Sequence, residues 1–141
     1  MKESARVKAK GATGASAGLP TKARCSVLAV DDEENFLTLL QWFLSERGYE
    51  VHTASSVDGA LSLAQRQTFK VALLDVRIGS ANDGLFLLEQ LPLHQPGIKI
   101  IMVTAYPAVP AIKQAVDRGV ARLLTKPVDL RELSTTIDEL L

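Results

Sequence analysis

The centre of the chain reads KVALLD over residues 70–75, in which apolar residues run without interruption from a lysine to an aspartate. A run this short and this uniformly apolar is typical of a strand that is buried on both faces of a parallel sheet. Comparable runs occur at residues 26–31, 50–54, 99–104 and 122–124. We therefore predict five buried strands, and the strand that ends at Asp75 is the third.

Longer segments with helical periodicity separate these runs. The expected helices cover residues 33–47, 57–67, 83 or 84 to about 92, 109–118, and 129 to the end of the chain. In the first helix the inward stripe is predicted to hold Phe36, Leu39, Leu40, Phe43 and Leu44. Alternating strands and helices indicate βαβ units, and right-handed crossovers place helices on both faces of the sheet. The sequence thus predicts an α/β fold with a doubly wound parallel sheet of five units.

Composition and charge divide the chain into two parts. Its 141 residues suit one domain, with a core of aliphatic residues, and its single cysteine excludes an internal disulfide. Residues 1–24 carry a net charge of +5 and the remainder a net charge of −5. We expect a disordered basic N-terminal tail over residues 1–24 and one folded domain over residues 25–141. Since neither an apolar span of about 20 residues nor a secretory signal is visible, we expect a cytoplasmic protein without membrane contact.

Polar residues stand where the predicted strands end. Asp31 and Asp32 close the first strand, Asp75 the third and Thr104 the fourth, and Lys126 follows the fifth. The carboxyl ends of parallel strands meet at one edge of the sheet, so these residues should lie together. Two carboxylates 4 Å apart repel by about 4 kcal/mol at an effective dielectric constant near 20. A cation is needed there, and Mg²⁺ with Lys126 would allow Asp75 to carry a phosphoryl group that the Thr104 hydroxyl also binds.

Four segments carry a resemblance to a known family. They read VLAVDDEEN at residues 27–35, VALLDVRIG at 71–79, IIMVTAY at 100–106 and LLTKPVDL at 123–130. From about Cys25 to Leu141 the sequence resembles the receiver domains of two-component response regulators. The resemblance implies a flavodoxin-like fold with strand order 2-1-3-4-5. It also implies that a sensor histidine kinase or a histidine phosphotransfer protein donates the phosphoryl group to Asp75.

The resemblance further implies a set of metal ligands. Asp32 and Asp75 would bind Mg²⁺ through their carboxylates, Asp31 largely through a water molecule, and Arg77 through its backbone carbonyl. Such a domain is a phosphoacceptor with self-catalysed phosphoryl transfer and autodephosphorylation, and not an enzyme with a separate substrate.

Other residues would bind the phosphoryl group and transmit its presence. Thr104 and Lys126 would bind the group, and the Lys126–Pro127 peptide bond would be cis. In the family, Thr104 and an aromatic residue on the fifth strand form a switch, but Leu123 stands at the aromatic position here. The surface of the fourth helix, fifth strand and fifth helix would bind a downstream protein or a second phosphorylated copy. No direct contact with nucleic acid is expected from this domain.

The chain departs from the family pattern at further points. Gly79 replaces a usual proline, and the loop from there to Gly84 is one residue longer than usual. Arg77 places a long cation near the site, and no output domain follows the last helix in this sequence.

Three alternatives stay open at this point. Haloacid dehalogenase-like phosphatases also use an aspartate nucleophile, but they need a second aspartate where Arg77 stands. A pseudo-receiver would be an interaction module that is never phosphorylated. Finally, the chain could be the receiver of a larger regulator, because residues 98–133 resemble receivers that are attached to σ54-type activators.

Overall fold

A computed structural model of the chain describes residues 25–78, 83–105 and 110–141. Within these ranges five strands alternate with five helices. In chain order they are β1 (Ser26–Val30), α1 (Glu34–Glu46), β2 (Glu50–Ala54), α2 (Val57–Arg66), β3 (Val71–Leu74), α3 (Asp83–His94), β4 (Lys99–Thr104), α4 (Pro110–Asp117), β5 (Arg122–Thr125) and α5 (Leu130–Leu140). The predicted tail, residues 1–24, and Gly79 lie outside the described residues.

The strands form one sheet in the order β2-β1-β3-β4-β5, and every neighbouring pair is parallel. This confirms the predicted fold class and strand order. The strand ends are aligned, because Val30 pairs with Leu74 and Leu74 pairs with Met102. As a result, the residues that follow β1 and β3 leave the sheet side by side.

Apolar side chains cover both faces of the sheet. One core cluster joins alternate strand residues to α1 and α5, and it includes Val27, Leu73, Leu44 and Ile137. The other cluster joins the remaining strand residues to α2, α3 and α4, and it includes Leu74, Ala60, Leu88 and Ile112. Helices therefore lie on both faces, as a doubly wound sheet requires. Among the described residues, no helix is long and apolar enough to cross a membrane.

Two capping side chains and one glycine mark helix ends in this structure. Ser56 caps α2 by accepting a hydrogen bond from the Gly59 amide, and Asp129 caps α5 by accepting from the amides of Arg131 and Glu132. Gly48 follows α1 with a positive φ of 96°, a conformation that glycine adopts without steric cost.

One detail of α1 was predicted wrongly. Leu39 was assigned to the inward stripe, but it is exposed, whereas Leu37 is buried with Leu40 and Leu44. At about 100° per residue, Leu39 lies roughly 130° around the helix from the centre of that buried set. With leucines at adjacent positions, the periodicity alone did not show which of them faces the core.

Gly84 fixes the start of α3 against the backbone of Asp75. A Cβ atom at Gly84 would lie 1.9 Å from the Asp75 carbonyl oxygen, well inside contact distance. The Gly84 amide also donates a hydrogen bond to the Val76 carbonyl at 2.9 Å. The helix therefore reaches this backbone only because residue 84 has no side chain.

We expect Gly84→Ala to lower the free energy of unfolding by about 1–3 kcal/mol, the usual effect of overpacking, because backbone must shift to admit the methyl group. Urea denaturation measures this. Gly59→Ala is the matched control, since Gly59 also lies within a helix but its added Cβ would approach side chains and not backbone, with Ser56 Oγ at 3.2 Å and Ala54 Cβ at 3.5 Å. A similar effect of the two substitutions would contradict the argument.

Candidate functional site

Three charged side chains meet beyond the carboxyl ends of the strands. The Lys126 Nζ atom lies 2.6 Å from Asp31 Oδ2 and 3.0 Å from Asp75 Oδ2. Asp31 directly follows β1, Asp75 directly follows β3, and Lys126 directly follows β5. One ammonium group therefore bridges two carboxylates that belong to different strands.

Backbone hydrogen bonds fix each of these residues to a neighbouring strand. The amide of Asp31 donates to Ala54 O at 3.2 Å, and that of Asp75 donates to Val30 O at 3.2 Å. The amide of Lys126 donates to Thr104 O at 2.8 Å. These three residues thus continue the ladder of the sheet by one position, and their positions depend on its register.

The second oxygen of each carboxylate is also bonded. Asp31 Oδ1 accepts the Glu33 amide at 2.9 Å, and Asp75 Oδ1 accepts the Arg77 amide at 3.2 Å. These two local turns set the rotation of both carboxyl groups, so that Oδ2 of each points to Lys126.

The cluster is largely removed from solvent. The side chains of Asp31, Asp75 and Lys126 are 4%, 12% and 17% exposed. Burial raises the pKa of the Asp31 carboxyl, and the hydrogen bond from Lys126 opposes that change. Burial alone would lower the pKa of Lys126, but the hydrogen bonds to Asp31 and Asp75 outweigh it, so the pKa of Lys126 is raised. Lys126 is therefore an ammonium ion at neutral pH.

The other predicted site residues take different positions. Thr104 is buried at the end of β4. Asp32 and Arg77 are exposed. Across the described ranges, no three carboxylate, imidazole or thiol side chains lie close enough together to form a metal-binding group. The structure thus brings Asp31 and Asp75 together around Lys126 and leaves the Asp32 side chain outside that cluster.

Leu123 and Pro127 lie on either side of Lys126 along the chain. Leu123 on β5 is half-buried, and it packs against the core cluster that contains α2, α3 and α4. The Lys126–Pro127 peptide bond is cis.

The donor atoms at this edge suit Mg²⁺. Mg²⁺ binds hard oxygen ligands, uses one or two carboxylates and keeps several waters, so a cluster of three carboxylates is not required. Asp31 and Asp75 supply buried carboxylate oxygens, and Asp32 supplies one at the surface. The residues present therefore fit the ion that the fold family implies.

The Phe36 ring, which was predicted only as part of the inward stripe of α1, also lies beside Lys126. The centroid of its ring lies 4.8 Å from Lys126 Nζ. A usable signal was present, since Phe36 lies in the first turn of the helix that follows Asp32, at the same edge of the sheet.

Comparisons with known proteins identify the family of the chain. The family model of the response regulator receiver domain matches residues 27–138. The alginate biosynthesis transcriptional regulatory protein AlgB of Pseudomonas syringae pv. tomato is 38% identical over 107 residues, which are 76% of this chain and 24% of that protein. The chain thus spans about a quarter of the length of this relative.

Solved structures give the same result. A CheY-like receiver domain protein from Methanospirillum hungatei JF-1 superposes with a TM-score of 0.77 at 31% identity, covering 82% of this chain and 91% of that one. A response regulator from Burkholderia pseudomallei, whose crystal structure contains a phosphorylated aspartic acid and a calcium ion, superposes with a TM-score of 0.75 at 32% identity, covering 80% and 66%. By its sequence and by its fold, this chain belongs to the family of response regulator receiver domains.

Proposed function

We propose that this domain accepts a phosphoryl group on Asp75 from the phosphohistidine of a sensor kinase or of a phosphotransfer protein. The observation that carries the proposal is the contact between Asp75 Oδ2 and Lys126 Nζ at the end of the central strand. A carboxylate in this position combines a fixed geometry with a cation that neutralises incoming charge. The phosphorylated aspartic acid in the Burkholderia pseudomallei regulator supports the assignment by similarity.

The transfer needs little covalent chemistry from the protein. An Asp75 carboxylate oxygen forms the new O–P bond while the P–N bond to the donor imidazole breaks, and the imidazole retains the electron pair and takes up a proton. The Lys126 ammonium and the Thr104 hydroxyl would stabilise the phosphoryl oxygens, over which negative charge is spread during transfer. Positioning and electrostatics therefore account for the reaction.

A divalent cation completes the charge balance. In the resting cluster one ammonium group faces two carboxylates, so an incoming anionic phosphoryl group meets net negative charge. Asp31, Asp32, Asp75 and the Arg77 carbonyl are the residues that would hold Mg²⁺. When bound, the ion neutralises the phosphoryl oxygens.

Loss of the phosphoryl group is proposed to be self-catalysed as well. Haloacid dehalogenase-like phosphatases have an aspartate two residues after the nucleophile as a general acid and base, whereas Arg77 stands there in this chain. The domain then acts as a timed switch and not as a phosphatase for other substrates.

We propose that the surface formed by α4, β5 and α5 transmits the phosphorylation signal. Thr104 would move toward the phosphoryl group, and Leu123 on β5 would respond to the space that this movement opens. The altered surface would bind a downstream protein or a second phosphorylated copy.

We further infer that the domain acts within a larger cytoplasmic regulator. The observation that favours this is the match to about a quarter of AlgB, a transcriptional regulatory protein. In such a protein another segment would contact DNA, and the receiver would not. The basic residues 1–24 are proposed to be dispensable for phosphorylation.

Asp75→Asn should abolish covalent phosphorylation by acetyl phosphate with Mg²⁺, because the amide removes the nucleophilic oxygen. Intact-protein mass spectrometry with peptide mapping detects the adduct. Asp117→Asn on α4 is the matched control, because Asp117 is exposed and lies outside the cluster; it should be phosphorylated normally. Absence of an adduct in the unsubstituted protein would favour a pseudo-receiver.

Phosphorylation should stop in EDTA. Asp32→Ala should weaken Mg²⁺ binding by at least about tenfold, because a carboxylate in direct contact contributes more than the roughly 1.4 kcal/mol that this factor represents. Asp31→Ala should weaken Mg²⁺ binding less, if Asp31 acts through water. Amide NMR during Mg²⁺ titration measures both affinities, and equal losses would contradict this division of roles.

Beryllofluoride, which mimics the phosphoryl group, should shift amide resonances strongly around Asp75 and Lys126 but only weakly along α4 and β5. The physical reason is that Leu123 lacks the ring and the hydroxyl of the aromatic residue that usually stands at this switch position. The active and inactive conformations therefore differ less in energy. A ligand must bind one conformation better by roughly 5.5 kcal/mol to convert a 1:99 balance of inactive and active conformations to 99:1. The loss of a single coupling contact can therefore leave this conversion incomplete.

Two substitutions separate the components of this switch. Thr104→Val should abolish even the weak response of α4 and β5, whereas Thr125→Val is the control, because Thr125 is exposed and pairs with Thr104 in register. A full rearrangement of α4 and β5 that persists in Thr104→Val would rule out the proposed route.

A further inference from the structure

The Phe36 ring forms part of the surroundings of the Lys126 ammonium group. Phe36 is half-buried on α1 and packs against the core cluster that contains α1 and α5. Together with Asp31 and Asp75 it lines one small cavity. The ring is therefore fixed by the core on one side and exposed to the charged cluster on the other.

Three described groups lie close to the ammonium nitrogen of Lys126. Asp31 Oδ2 lies at 2.6 Å and Asp75 Oδ2 at 3.0 Å, and the centroid of the Phe36 ring lies at 4.8 Å. A cation within about 6 Å of a ring centroid is attracted by the negative face of the ring, and the attraction grows when water is excluded. Since the Lys126 side chain is only 17% exposed, this attraction is little screened by solvent.

A ring differs from a carboxylate in what it does to the lysine. The ring face attracts the cation but offers no oxygen that competes with a phosphoryl group for the ammonium protons. Helix α1 and the core also keep the ring in place when the charges around Asp75 change. A contact of this kind can hold the Lys126 ammonium group in place both before and after Asp75 is phosphorylated.

We propose that Phe36 is a positioning residue, which holds the Lys126 ammonium at Asp75 through the face of its ring. The proposal rests on the proposed function, because the lysine is taken to act on the phosphoryl group of Asp75. It adds a residue whose effect on phosphorylation passes through Lys126 and not through the metal ligands.

A graded series of ring substitutions tests the electrostatic part of the proposal. Incorporation of mono-, di- and trifluorophenylalanine at position 36 preserves the shape of the ring and withdraws charge from its face in steps. We expect the second-order rate constant for phosphorylation by acetyl phosphate to fall with each added fluorine. Phe36→Leu should lower it about three- to tenfold, whereas Phe36→Tyr, which retains the ring face, should stay within about twofold.

Phe43 provides a matched control on the same helix. Its ring is also half-buried and also faces a cation, since the Arg47 guanidinium carbon lies 4.5 Å from its centroid. This pair lies outside the charged cluster. Phe43→Leu should therefore reduce stability without changing the rate of phosphorylation.

A double-mutant cycle measures the contact without any phosphoryl donor. Phe36→Leu, Lys126→Met and the double variant are compared by urea denaturation of the full chain, and we expect the two single effects not to be additive. If the unsubstituted chain is not phosphorylated, the proposed function fails, while non-additivity would still support the contact. If the chain is phosphorylated normally and fluorination leaves the second-order rate constant for phosphorylation unchanged, the positioning role is overturned, even where the cycle shows coupling.

Discussion

The contact of one ammonium group with two carboxylates is the interaction on which the site depends. Lys126 Nζ binds Asp31 Oδ2 and Asp75 Oδ2, and all three side chains are largely buried. Without the lysine, two carboxylates would face each other in a region of low dielectric, at a cost of several kcal/mol. The ion pair thus offsets the repulsion between two carboxylates at the ends of adjacent buried strands.

The sheet makes this interaction geometrically reliable. Asp31, Asp75 and Lys126 come from β1, β3 and β5, which are far apart in sequence, but each residue is hydrogen-bonded through its amide to a neighbouring strand. A one-residue shift in the register of any of these strands would turn its site residue to the opposite face of the sheet and separate the charges. Core packing and site chemistry therefore constrain the same register.

Much of this arrangement could be predicted from the sequence, for a physical reason. Strands buried on both faces must be apolar throughout, so the run before Asp75 was recognisable, and the parallel topology then placed Asp31, Asp75 and Lys126 at one edge. The different positions of Asp31 and Asp32 could not be predicted from the residues alone. Both are aspartates at a strand end, and their orientation depends on the turn in which Asp31 accepts the Glu33 amide.

Other features depend on contacts between distant segments, which periodicity does not record. The exposure of Leu39 was missed because adjacent leucines fit the helical pattern almost equally well. The approach of the Phe36 ring to Lys126 was missed because it depends on how α1 packs against the sheet. These errors concern orientation within an element, whereas the elements themselves and their order were predicted correctly.

Gly84 has a consequence for how β3 and α3 depend on each other. The first turn of α3 is in direct contact with the backbone of Asp75 and Val76, and this contact leaves no room for a Cβ atom. Any side chain at position 84 would have to displace the backbone that carries Asp75. A substitution at the start of α3 would therefore disturb the end of β3, so the two elements are coupled through a single residue.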